Sequence, residues 1–123
     1  MDGQVRSFVR DSFPSVWALE LLLLLSEDTE RTFGRAELVA ALRASDAVIA
    51  KCGDALLAAG LIVEDGPDRL RYAPASHEMG NLVDGARALY RSRPDAVRRL
   101  IVSRSSEGLD AFADAFRLRK DPE

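Results

Sequence analysis

Cysteine and histidine occur once each, as Cys52 and His77. A single thiol excludes an intramolecular disulfide framework, and one thiol with one imidazole falls short of the ligands a zinc site needs. With a lone His and scattered Ser and Asp, no triad or acid–base couple can be assembled. G-x-G-x-x-G, P-loop and HExxH motifs are missing. The sequence therefore predicts no enzyme activity, no catalytic residue, no metal and no cofactor. Long apolar runs are missing too: Val16 to Leu25 is ten residues interrupted by Glu20, against about 20 needed to span a bilayer. MDGQVRSFVRDSF has no basic region leading into an apolar stretch, so no secretory signal is expected. The expectation is a cytoplasmic chain with no membrane contact.

An excess of positive charge is also lacking. Seventeen Lys+Arg stand against twenty Asp+Glu, a net of −3, so polyanion binding would have to come from a local patch. What is present is the balance of a folded chain, 47% hydrophobic and 30% charged over 123 residues. That length suits one core with a helical extension.

The apolar pattern changes period along the chain. Val5, Phe8, Val9 and Phe13 suggest a short lead-in turn or helix, and Pro14 suits a first helical turn. VWALELLLLL is apolar on nearly every face, which predicts a central buried helix with Trp17 in the core; any face left uncovered would meet a second copy of the protein. SEDTERT reads as a loop ended by Phe33 and Gly34. A helix from Arg35 to about Ala44 is marked by Leu38, Val39 and Leu42. Ser45 and Asp46 break it and cap the next, from Ala47 to about Ala59. Its inward stripe is Val48, Ile49, Cys52, Leu56 and Ala59, so Cys52 reads as a small buried hydrophobe. Gly53 within that helix predicts a close crossing with a neighbouring helix, and Gly60 ends it.

After Gly60 the period becomes two. LIVED and RLRYA, with Gly66 and Pro67 between them, read as a β-hairpin, with Leu70 and Tyr72 on one face and Arg69 and Arg71 on the other. Helical spacing returns at Met79, Leu82, Val83, Ala86, Leu89 and Tyr90. Pro94 opens a further helix carrying Val97, Leu100 and Ile101, and a last segment aligns Leu109, Phe112, Ala113 and Phe116.

AELVAALRASDAVIAKCGDALLAAGLIVED followed by GPDRLRYAP resembles the winged helix-turn-helix superfamily of bacterial transcription regulators. The matching features are Leu38 and Leu42 of the first helix, the Ala44-Ser45-Asp46 turn, and Val48, Leu56, Gly60 and Leu61 leading into a wing. The resemblance covers roughly residues 14–75. It implies a mainly α fold, a winged helix-turn-helix of three helices plus a β-hairpin wing, with a C-terminal helical extension. The implied division is residues 1–75 for the winged domain and its lead-in, and 76–123 for the extension, which packs on it or forms a dimer interface.

The implied function is a small, dimeric, DNA-binding regulator contacting double-stranded DNA through Ala47, Ala50 and Lys51, with Arg35, Arg43, Arg69 and Arg71 as helpers. A protein-interaction module without DNA binding is the alternative, because winged helices also serve as scaffolds. Charge separates the two. Between Gly34 and Ala73 five positive residues face six negative ones, and the wing tip Glu64-Asp65-Gly66-Pro67-Asp68 would repel phosphate. No Arg, Asn or Gln stands on the recognition helix to read a base edge. The basic excess lies instead at Arg87, Arg91, Arg93, Arg98, Arg99 and Arg104, opposed only by Asp95, a local +5. Arg87 and Arg91 are predicted to point the same way. This second patch suits phosphate or an acidic partner surface, including the chain's own acidic N-terminal third, matched within one molecule or across a dimer. In residues 1–33 three Arg stand against six Asp+Glu. Phe112 and Phe116 form a further candidate contact for a protein partner.

Overall fold

The computed structural model describes residues 2–103. Helix α1 (Asp2–Ser12) leads into a bend at Pro14 and Ser15, and α2 (Val16–Ser26) follows, its first turn capped by Ser15 Oγ accepting from the Ala18 amide at 3.3 Å. The loop after Ser26 closes on β1 (Phe33–Gly34), then α3 (Arg35–Leu42) and α4 (Asp46–Ala58). Arg43 ends α3 with φ 52°, in the left-handed region. Ser45 then caps α4 by accepting from the Val48 amide at 3.1 Å. Gly60, at φ 76°, stops α4, and the bonds Gly60 N–H to Leu57 O and Leu61 N–H to Leu56 O close a Schellman turn. The hairpin β2 (Ile62–Glu64) and β3 (Arg69–Tyr72) comes next. It is followed by α5 (His77–Ser92), capped by Ser76, and by α6 over residues 94–103.

The fold is mainly helical with one small antiparallel sheet of order β1–β3–β2. Phe33 lies opposite Leu70 and Gly34 opposite Arg69, while Ile62, Val63 and Glu64 face Tyr72, Arg71 and Leu70. Phe33 and Gly34 therefore form a strand, not the loop end that the sequence suggests. Two residues carry no period of their own, and only pairing with β3 makes them a strand.

Helix α2 is the centre of the core. Leu19, Leu21, Leu22 and Leu25 are fully buried, packed among α3, α4 and β3. Trp17 departs from expectation: it is 38% exposed, so the helix end lies at the surface. Val16, Leu23 and Leu24 are only partly buried, so α2 is covered on most of its surface but not all of it. One apolar cluster joins both proposed halves of the chain, running from Phe8, Val9 and Phe13 to Val83, Ala86, Val97 and Ile101. No helix among the described residues is long and apolar enough to cross a membrane.

Two glycines mark close approaches. Gly53 sits beneath the side chain of Leu70 on β3, whose Cδ1 would be 3.3 Å from an added Cβ. Its neighbour is a strand, not the helix expected. Gly85 of α5 meets α1, where a Cβ would fall 2.6 Å from Val5 Cγ2. Alanine favours a helix interior over glycine by about 1 kcal/mol, but displacing α1 costs about 1–3 kcal/mol. Gly85→Ala is therefore expected to lower the urea midpoint in the wild-type background and to raise it in a Val5→Ala background. Equal effects in the two backgrounds would show that α1 and α5 do not touch there.

Candidate interaction surface

Helix α4 turns its Ile49, Cys52 and Leu56 face into the core, which leaves Ala47, Lys51 and Asp54 exposed. The amphipathic split comes from the stripe spacing and positions the outer face beside the hairpin. Between them lies a small cleft. Ile49, Ala50, Leu57 and Leu70 give it an apolar floor, and Asp54, Glu64 and Asp68 form its rim.

Among the described residues Arg35 is the one basic side chain lining that cleft, and it is ion-paired. Its Nη2 lies 3.0 Å from Asp68 Oδ1 and its Nη1 3.5 Å from Asp46 Oδ2. The Arg35 amide also donates to the Asp68 carbonyl at 3.0 Å, tying the start of α3 to the hairpin tip. Arg71 is held in the same way: its Nε donates to Asp65 Oδ2 at 3.3 Å, and Thr32 Oγ1 donates to the same oxygen at 3.0 Å. Arg31 pairs with Glu37 and stacks over the Phe33 ring. These exposed pairs contribute little to stability, and they offset the charges of Arg35 and Arg71 locally.

Of the expected contact residues, Ala47, Ala50 and Lys51 do lie on the outer side of α4, and Arg43 is exposed at the turn before it. Arg69 is exposed on the hairpin. Arg43, Lys51 and Arg69 have no carboxylate partner among the described residues. Asp54 and Glu64 are equally unpaired there. These three unpaired positive charges lie outside the cleft lining, whereas the unpaired Asp54 and Glu64 stand on its rim.

Cys52 is buried and lies 3.7 Å from Ser15 Oγ. Burial pushes its thiol pKa up, with the Ser15 contact and the Lys51 charge opposing. Thiolate chemistry at neutral pH is thereby suppressed. Among the described residues no group of three His, Cys, Asp or Glu side chains is arranged to hold a metal ion.

The second basic patch divides. Arg87 turns inward, its Nη2 donating to Ser26 Oγ at the end of α2 while Nη1 pairs with Asp84 at 3.0 Å. Its reach to α2 separates it from Arg91, although helical spacing puts both on one side. Arg98 pairs with Asp95 at 3.3 Å and lies over the Tyr90 ring. Arg91, Arg93 and Arg99 are exposed and unpaired among the described residues. Arg104, Leu109, Phe112, Ala113 and Phe116 lie outside the described residues. Sequence reasoning missed the cleft itself, because its lining joins residues from α3, α4, both strands of the hairpin and the turn between them.

Comparison with family models, curated proteins and solved structures finds no match.

Proposed function

We propose that the chain is a winged helix-turn-helix protein that works as an interaction module, docking a cationic partner in the cleft between α4 and the β2–β3 wing. The order α2–β1–α3–α4–β2–β3, with β3 in the middle of the sheet, supports the fold reading. One observation carries the functional reading: the surface where such a fold would meet phosphate is rimmed by Asp54, Glu64 and Asp68, and its lining arginine is neutralised by Asp46 and Asp68. An apolar floor with an acidic edge complements a partner that brings an apolar side chain flanked by Lys or Arg. A DNA-binding regulator is the second reading, favoured by the exposed and unpaired Arg43, Lys51 and Arg69.

Fluorescence anisotropy separates the two. At about 50 mM salt a labelled amphipathic helix with leucine and arginine faces is expected to bind the chain, and Asp54→Lys is expected to weaken it by about tenfold or more. A labelled random duplex is expected to show no association that depends on Lys51. Tight duplex binding lost on Lys51→Glu, with no peptide binding, would reverse the assignment.

A further inference from the structure

We infer that the acidic cleft and the arginine strip of α5–α6 are two halves of one interface, joined between two copies of this chain. The inference rests on the cleft reading above and names its partner.

The cleft lining, where Asp54, Glu64 and Asp68 stand against Arg35 alone, and the arginine strip carry opposite charge and lie on different parts of the fold. The cleft belongs to α4 and the hairpin, which pack on α2, whereas α5 packs on α1. Among the described residues no ion pair joins them. The ion pairs of α5 and α6 run to their own Asp84 and Asp95, and those of the cleft region stay within residues 31–71. Arg91, Arg93 and Arg99 on one side, and Asp54 and Glu64 on the other, are exposed with nothing opposite. The fold keeps them from meeting within one molecule, so a second molecule is the source of complementary charge that the sequence itself supplies. A two-fold arrangement makes each contact twice, with the cleft of one copy on the strip of its partner and the reverse. Steering by such complementary patches raises association rates and makes assembly sensitive to salt.

Sedimentation velocity on the full chain tests this. The wild type is expected to self-associate at about 50 mM salt and to dissociate near 0.5 M, where screening shortens to a few ångströms. Asp54→Lys with Glu64→Lys leaves both surfaces positive, and Arg91→Glu with Arg99→Glu leaves both negative. Each double variant alone is expected to be monomeric, with self-association weakened by about tenfold or more. Mixed together, they restore both contacts and are expected to form a heterodimer. All four positions are exposed, and unchanged circular dichroism and thermal midpoints check that each variant is folded. A wild type that stays monomeric at every salt concentration overturns the inference, as does self-association that survives both reversals, or a mixture that fails to pair. A monomeric chain that still captures the amphipathic peptide would leave the cleft reading intact while this inference fails. Loss of both would remove the two together.

Discussion

Replacing Phe13 by alanine is expected to cost about 4 kcal/mol, the upper part of the range for a buried aromatic truncation. Phe13 is fully buried where α1 bends into α2, its ring edge-on to Phe8 with centroids 5.5 Å apart and planes at 84°. Its amide donates to Val9 O at 3.3 Å, extending the end of α1. Truncation removes the transfer free energy of the ring and the edge-to-face contact with Phe8, and it opens a cavity in the buried connection between α1 and α2. Domains of this size have total stabilities of about 5–15 kcal/mol, so the variant is expected to unfold at a much lower urea concentration with an unchanged slope. Trp17 is the control, a larger side chain that is 38% exposed. Trp17→Ala is expected to cost less than Phe13→Ala, because burial and not size sets the loss. A cost near 1 kcal/mol at Phe13 would mean that α1 is an appendage and not part of the core.

The features legible in the sequence are those whose signal is local. Ser45 ahead of an apolar stripe marks the start of α4, and Gly60 marks its end because the chain there needs a positive φ. The change to period two after Gly60 announces the hairpin, and the unbroken leucines of α2 announce burial. What escapes is set by partners distant in sequence. Nothing in Phe33–Gly34 specifies a strand until Leu70 and Arg69 lie opposite. Because α2 is apolar all round, no polar stripe shows that its Trp17 end is the outward one. Gly53 signals a close approach without identifying Leu70 as the neighbour. The candidate site follows the same division. Spacing places Ala47, Lys51 and Asp54 on the outer face of α4, but a charge count treats Arg35 and Arg71 as available when Asp68, Asp46 and Asp65 already hold them. Arg87 shows how far reach can override spacing: a long guanidinium on the same side as Arg91 turns inward to Ser26.

If charge, and not shape, is what keeps the cleft off DNA, reversing that charge is expected to create a DNA-binding protein from the same scaffold. Asp54→Lys with Glu64→Lys replaces two unpaired carboxylates by ammonium groups, one of them a helical turn from Lys51, a change of four units of charge on the cleft rim. Neither position is part of an ion pair or a cap among the described residues, so the fold is expected to be unchanged. Arg91→Gln and Arg99→Gln in the background remove the charge of the strip on α5–α6 without reversing it, so that any binding belongs to the cleft and no opposite charge is offered to it. Each phosphate neutralised contributes about 0.9 to the slope of log affinity against log salt, and two to three additional contacts steepen it by about two units. Random-duplex affinity near 50 mM salt is expected to rise by about a hundredfold over the same background without the two lysines, and to fall away by 200 mM. The gain would lack base preference, since no side chain on α4 supplies a bidentate fork. A reversed surface that still ignores duplex DNA would mean that α4 and the hairpin do not present a groove-sized face, and the winged-helix reading of the fold would lose its support along with the electrostatic argument.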